Sequence, residues 1–568
     1  MVTISGLKKW QKKLEPTAYK PDHFAETPSE ALNELEALPS LNLKTMGGNT
    51  QVSFRGQTAR NTLVLIDDIV TQDIYGATNI ASFFGGATQV REIIPGSQGV
   101  RYGSGASGGT ILMETPYLHA DNLVAAEYGS FQSAYGHIAH QKITPDTGWV
   151  IHAEGNRTAG VPQYGPTRSL GEKSKSYLGN VATRLEHRLN ESSTLKLTAR
   201  TLESSAKYDA YETYANPLPK PQSTLFTTVS LVGIGLETST QKTAHAVQGF
   251  FSQTKLKYTA SPAAISSIQG VNYVGTHTPN RHLDSTLLLG IQGERVDSSY
   301  LIKKNVISGY IGGLQKMRIN DPLSAEAGLR LDQHEKFGST VTYSGALAYT
   351  HRHTTLKSSI RTGFLNPSLY TLYTSNKYVQ SNPGLKPERT RTLDVTFEHF
   401  FPRPDISIQV TPFWTQATQL IQSVSKNNRW QSVNVPGTTK ISGIESQLFY
   451  RIDPSLNLIT SYSYTSIDAS QPNTNPEFPK HKAHLRLDYM PTLTFSISPD
   501  ILYVGARTSS GGEPLKEYTL VNLTLKYEVR PGFSIFGRIE NVCNIHYMQT
   551  YNYQTPRRAF YVGTHFYF

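Results

Sequence analysis

The sequence predicts an all-β membrane protein: an antiparallel transmembrane β-barrel of about 22 strands with a small N-terminal α+β domain plugging its lumen. Three observations lead there. From Tyr117 onward apolar and polar residues alternate, and no helical period interrupts them. The chain has 568 residues, too many for one ordinary core, yet only 38% are hydrophobic and the mean hydropathy is −0.37. A lipid-facing barrel has that average, because only every second residue meets lipid. Finally, the chain ends on a strand, Phe560 to Phe568, whose outer set Phe560, Val562, Thr564, Phe566 and Phe568 suits closure against the first strand.

Residues 1–27 are polar and read as a periplasmic arm. They lack the apolar core and cleavage pattern of a signal peptide, so an exported form is expected to start from a mature or recombinant end. The dense basic run Lys8, Lys9, Lys12 and Lys13 reads as a solvated face. Residues 28–116 form the α+β unit. Thr27 caps a helix led by Pro28, with Glu30 at the third position, and Pro39 stops it. Short strands follow at Leu41–Lys44, Gln51–Arg55 and Thr62–Ile66, the last ending in an Asp67-Asp68 turn. A final strand, Thr110–Glu114, closes the unit.

Residues 117–568 form the barrel. In Tyr518–Val529 the residues Val521, Leu523, Leu525, Tyr527 and Val529 alternate with Asn522, Thr524, Lys526 and Glu528. At roughly 20 residues per strand and connection, the remainder of the chain yields about 22 strands. A lumen that wide needs a plug, and the preceding unit has a suitable size. No stretch reaches the length of a transmembrane helix.

The net charge of +11 is spread over strands and loops, which speaks against a nucleic-acid partner; an anionic ligand or lipopolysaccharide accounts for it better. The single Cys543 excludes an internal disulfide and any multi-cysteine zinc site. Gly103-Ser-Gly105-Ala-Ser-Gly108 matches a dinucleotide fingerprint. That fingerprint works only at the start of a helix in a βαβ frame, and here Thr110-Ile-Leu-Met113 and Pro116 follow. The run instead reads as a turn-rich hand-off from plug to barrel. No nucleophile–base or carboxylate pair has catalytic spacing. An enzyme, a cofactor and a resident metal are therefore not expected. His351 and His353, expected to share a strand face, lack a third metal ligand.

Several segments, in order, resemble TonB-dependent outer-membrane receptors of Gram-negative bacteria. They are Phe54-Arg55-Gly56, Leu63-Val-Leu-Ile-Asp67, Val90-Arg-Glu-Ile-Ile-Pro-Gly96 and Tyr102-Gly-Ser-Gly-Ala-Ser-Gly-Gly109 in the plug. In the barrel they are Gly363-Phe-Leu-Asn-Pro367, Asn382-Pro-Gly-Leu-Lys-Pro-Glu-Arg389, Gly443-Ile-Glu445 and Glu540-Asn-Val-Cys-Asn544. The resemblance implies TonB-dependent import of a scarce, bulky ligand by a monomer, with TonB and its inner-membrane energising complex as partners. Val2, Thr3, Ile4 and Ser5 stand where a TonB-contacting strand would lie, and strand addition needs only main-chain groups. It also implies a latch of plug arginines on barrel glutamates: Arg55 with Glu388 and Glu445, in a setting where water weakens each pair. The second plug arginine of the family is Pro95 here, so Arg91 and Arg101 are the candidate substitutes. The plug is also short before Phe54, which makes a degenerate or passive barrel the alternative of another class.

Tyr208, Tyr211 and Tyr214 in a Pro-rich insert, and Tyr370 and Tyr373 in a second aromatic set, are the candidate ligand contacts, because tyrosines near lysines and arginines suit aromatic anionic chelates. A ferric siderophore is the expected ligand and cobalamin the alternative. Haem is disfavoured, since residues 368–381 contain no histidine.

Overall fold

A computed structural model describes residues 19, 27–46, 48–162, 173–211, 219–259, 263–298, 303–376, 378–469, 471, 477–509 and 512–568, with the backbone alone at 209–211 and 219–222. Val2–Ser5 and Tyr214 lie outside the described residues. The barrel is closed and has 22 antiparallel strands. Its last strand, Ala559–Tyr567, pairs with its first, Asn122–Gly129, from Tyr561 opposite Gly129 to Tyr567 opposite Leu123. The edge problem of a sheet is thereby removed by closure.

Alternation decides which side chains meet lipid. Ile138, Leu329 and Val562 are exposed at 60%, 60% and 57%, and all lie on the outer face. One ring of outward aromatics includes Tyr128, Tyr177, Tyr343 and Trp414; another includes Phe401, Tyr489, Tyr527 and Phe568. These are the two girdles expected at the membrane interfaces. Strands at the second ring join through tight turns, as from Pro402 to Asp405 and from Asp453 to Leu456. Longer connections leave the first ring, including a helix at Leu369–Tyr373 and a hairpin of Ile421–Lys426 with Arg429–Asn434. Short turns mark the periplasmic end and long loops the extracellular end.

The plug fills the lumen. Helix α1 (Pro28–Ala37) starts at Thr27, whose hydroxyl accepts the Glu30 N–H at 3.4 Å. Strands β1 (Leu41–Met46) and β2 (Asn49–Phe54) form a hairpin. Strands β3 (Thr62–Ile66), β4 (Ile69–Val70), β5 (Gln89–Pro95) and β6 (Gly109–Glu114) form a mixed sheet in the order β4-β3-β6-β5, with β3 and β6 parallel. The short helix α2 (Gly99–Tyr102) lies within the Gly-rich run, and β6 follows that run directly, so no helix opens on it. One apolar core joins Leu41, Val64, Ile66 and Ile111 of the plug to Leu202, Val229 and Leu231 of the wall. Plug and barrel therefore share a core.

The first barrel strand starts at Asn122, five residues after the expected Tyr117. Tyr117 instead hydrogen-bonds the Gly148 carbonyl and lies under the Arg184 guanidinium, where the chain passes from plug to wall.

Candidate functional site

The centre of the plug–barrel contact is Arg55. It sits just after β2 at a φ of 47° and is 1% exposed. Its Nε donates to Glu445 Oε1 at 2.8 Å and its Nη2 to Glu445 Oε2 at 2.7 Å, a bidentate pair. The guanidinium carbon lies 4.3 Å from the centre of the Phe413 ring, and Nη1 is 3.7 Å from Asp394. Burial opposes the charge on Arg55, but Glu445 and then Asp394 more than offset it, so the guanidinium stays firmly protonated. Glu445 is also 1% exposed. The expectation that water reaches this pair is thus corrected: shared core packing keeps it dry, where Coulomb attraction is stronger and each lone charge costs more.

The Gly443-Ile-Glu445 motif now has a physical reason. Gly443 pairs with Phe413 across two strands. A Cβ there would run into the Tyr464 carbonyl and come within 2.6 Å of the Phe413 ring that carries Arg55. Gly443→Ala is expected to destabilise the protein by about 1–3 kcal/mol through overpacking. A denaturant midpoint unchanged from the parent would contradict it. Gly363 plays the matching part in the other barrel motif, since a Cβ there would lie 2.8 Å from the Ser107 backbone of the Gly-rich run.

Glu388 does not meet Arg55. Its Oε2 accepts from Asn61 Nδ2 at 2.9 Å, its Oε1 accepts the Ile421 N–H at 2.9 Å, and Arg60 lies 3.6 Å away. It joins the plug turn before β3 to an extracellular hairpin. Arg101 does cross to the wall, with Nη2 2.8 Å from Glu326. Arg91 does not: its Nη2 donates to Asp68 of the plug itself at 3.0 Å, so its expected place in the latch is corrected.

Sequence reasoning missed three members of this centre. Asp394 accepts from Arg361, and both are buried wall residues. Arg361 Nη2 comes within 3.5 Å of where a Cβ on Gly96 would lie, next to Pro95, so the wall supplies a guanidinium where the plug lacks one. The signal was present: Glu388, Thr390, Thr392 and Asp394 form one inward row, and a buried aspartate in such a row needs a cation. Beside it, the Ser97 hydroxyl lies 2.9 Å from Thr390 and 3.1 Å from Thr392, a neutral contact between plug and wall. The third missed member is Tyr19, which hydrogen-bonds Glu445.

At the extracellular end, the structure brings together two of the predicted tyrosines. Tyr370 meets Tyr75, at the plug apex, edge to face at 4.7 Å, and Tyr208 meets Tyr258 at 6.0 Å. Tyr75 in turn lies beside Tyr258, so the four rings form one cluster. Tyr373 lies under Lys304, 5.1 Å from the ring centre. For Tyr211 only the backbone is described, at the end of strand Ser193–Tyr211. Apolar residues including Ile74, Leu369 and Leu372 pack beneath the cluster. His351 ends one strand and His353 lies beyond the turn at Arg352, so the two do not share a face. Among the described residues no three His, Cys, Asp or Glu side chains could hold a metal together.

At the periplasmic end, a cavity of 630 Å³ lies between α1, β5 and the wall. Glu34 of α1 lines it, 3.7 Å from Arg486. Burial, then the neighbouring Glu30, pushes Glu34 up to about 8, although a quarter-exposed carboxyl (24%) keeps some cavity water. The folded state therefore binds a proton that the unfolded chain releases near 4.5. Docking of α1 should weaken as pH rises from there through about 8. Hydrogen exchange of the α1 amides against pH reads this, and Glu34→Gln should flatten the profile. An equally steep profile in that variant would contradict it.

A 22-stranded barrel whose lumen holds an N-terminal domain, pinned to the wall by a buried arginine–carboxylate pair, is a plugged barrel receptor. The chain belongs to the TonB-dependent receptor family, whose members are outer-membrane transporters and receptors, not enzymes. The family model for the TonB dependent receptor-like β-barrel matches residues 118–542, and that for the TonB-dependent receptor plug domain matches residues 21–110. Among curated relatives, the vitamin B12 transporter BtuB of Vibrio vulnificus is 22% identical over 560 residues, covering 92% of this chain and 86% of that one. Among solved structures, a mutant of the ferric enterobactin receptor PfeA of Pseudomonas aeruginosa, in complex with enterobactin, superposes with a TM-score of 0.79 at 16% identity, covering 98% and 100% of the two chains. The siderophore receptor PirA of Acinetobacter baumannii gives 0.78 at 15% identity, covering 94% and 95%.

Proposed function

We propose that this protein imports a scarce, bulky ligand across the outer membrane with energy passed through TonB, and that the ligand is a ferric siderophore. The observation that carries the ligand class is the tyrosine cluster over the plug apex: Tyr75, Tyr208, Tyr258 and Tyr370, with Lys304 on Tyr373. Aromatic faces beside a cation suit a flat, anionic chelate, by stacking and by charge. Tyr75 also places the plug in direct contact with any ligand seated there, which is what a receptor needs to report occupancy downward. The solved receptors of similar fold bind siderophores, which supports this reading. Cobalamin is the second reading, supported by the curated relatives.

The test is direct binding of the purified protein to a panel of ferric catecholates, ferric hydroxamates and cyanocobalamin, followed by uptake in cells lacking their own receptors. A ferric chelate should bind, and Tyr370→Ala should weaken it by roughly fivefold or more, the loss of one stacked ring. Binding of cyanocobalamin alone would replace the first reading with the second. Passage of ligands without TonB would sink both and leave a passive barrel.

A further inference from the structure

The N-terminal arm enters the described fold at Tyr19. Its N–H donates to the Ile93 carbonyl at 2.8 Å, and the Ile93 N–H donates back at 2.9 Å. This isolated bridge adds one residue of the arm to the edge of β5. The phenol ring is 3% exposed, and its hydroxyl donates to Glu445 Oε2 at 3.0 Å. Arg55 Nη2 donates to that same oxygen. One wall carboxylate is therefore held at once by the plug and by the arm.

Tyr19 has a second neighbour. Together with Ile93, Phe84 and Leu35 it borders the 630 Å³ periplasmic cavity, which reaches neither Arg55 nor Glu445. The ring stands between the cavity and the ion pair. Burial, and then the charge of Glu445, raise the phenol far above its ordinary range, so it stays a neutral donor.

We propose that Tyr19 is the coupling residue of the latch: traction on the arm withdraws its hydroxyl from Glu445 and its ring from the cavity wall, which admits water to the Arg55–Glu445 pair. This rests on the reading of the protein as a TonB-driven importer. The order of events follows from the geometry. Residue 19 is the first residue of the chain that the structure describes, and two hydrogen bonds hold its backbone, whereas β5 is paired along its length with β6. A bridge pulled from its end opens before the sheet does. Once the ring has left, the pair passes from a dry site to a wet one, where its attraction falls steeply. A phenylalanine would have filled the same space; the hydroxyl is what ties arm to latch.

Hydrogen exchange on the full-length protein in outer-membrane-like vesicles tests this with no ligand and no TonB. The Ile93 amide reports the bridge, and the Arg55 amide, which donates to the Ser40 carbonyl at 2.8 Å, reports the latch. Tyr19→Phe should raise exchange at Ile93 roughly tenfold, the loss of one bond to a charged acceptor, with β6 amides unchanged. Tyr19→Ala should raise exchange at Arg55 as well, because the cavity then reaches the pair. Tyr19→Phe combined with Glu445→Gln should add little to Glu445→Gln alone. Unchanged exchange at Ile93 in the Phe variant, or an unchanged Arg55 in the Ala variant, overturns the proposal. Neither result depends on whether an import substrate is found, so failure of the import reading is seen separately, in the ligand panel.

Discussion

Glu445→Ala should loosen the plug by about 3–5 kcal/mol, the cost of leaving a buried charge without its partner. Arg55 cannot shed its proton, so the cation remains in a site where both partners were 1% exposed. Among the described residues, Asp394 at 3.7 Å is the other carboxylate paired with Arg55, and Arg361 already occupies it. The loss appears as a lowered urea midpoint for protease access to the plug while barrel strand content persists. In cells it appears as entry of a bulky antibiotic such as vancomycin. Replacing both partners, as Arg55→Met with Glu445→Leu, should recover much of the loss, because two apolar side chains leave no charge behind. A single variant with the parent's midpoint would show that the pair does not hold the plug. A double variant as weak as the single would show that shape, not charge, is what the site supplies.

Much of this architecture was legible in the residues because it depends on local periodicity. The Thr27 cap, Pro28 and the Pro39 stop bracket α1, and β3 falls on Thr62–Ile66 as its β-branched run predicts. Barrel strands were legible through alternation, and closure through the terminal Phe-rich strand. What was not legible depends on contacts between distant segments. Arg91 is an example. A register shift between Val90 and Glu92 takes it out of the alternation of β5 and turns it to Asp68. A bulge of that kind leaves no mark in periodicity. Glu388 is another. Its motif was recognisable, but its partners Asn61 and Ile421 lie 327 and 33 residues away, and nothing local indicates them. Tyr19 lies in a polar stretch without pattern and acquires its meaning from a carboxylate 426 residues further on.

The charges inside the lumen also tie the plug to the wall through its backbone. Wall side chains reach in to plug backbone: Lys482 Nζ donates to the Leu41 carbonyl at 2.6 Å, and Arg200 Nη2 to the Ala87 carbonyl at 2.8 Å. Backbone acceptors of the plug are here satisfied by side chains of the barrel. Arg361 beside Gly96 follows the same pattern, with the wall placing a guanidinium next to the plug backbone. Arg361 and Asp394 are both wall residues, so Arg55 is the plug arginine that any movement of the plug has to release at the centre.

Deleting residues 1–15 should abolish energised uptake while leaving ligand affinity unchanged. The deletion removes Val2, Thr3, Ile4 and Ser5, the proposed TonB-contacting strand, and stops short of Tyr19 and its bridge to Ile93. The extracellular tyrosine cluster lies at the opposite end of the lumen, so binding has no reason to change. Strand addition draws its affinity from main-chain hydrogen bonds, and side-chain substitutions within the segment should therefore do less than its removal. Proline at Thr3 is the informative point variant, because it deletes a donor and fixes φ where a strand is needed. Uptake of the ligand found in the panel, measured with and without an intact proton gradient, checks this. Loss of affinity together with uptake would mean that the deletion damages the plug. Full uptake in the deleted protein would place the TonB contact elsewhere or make transport passive, and vancomycin entry in the same cells separates those two outcomes, since a passive route admits it.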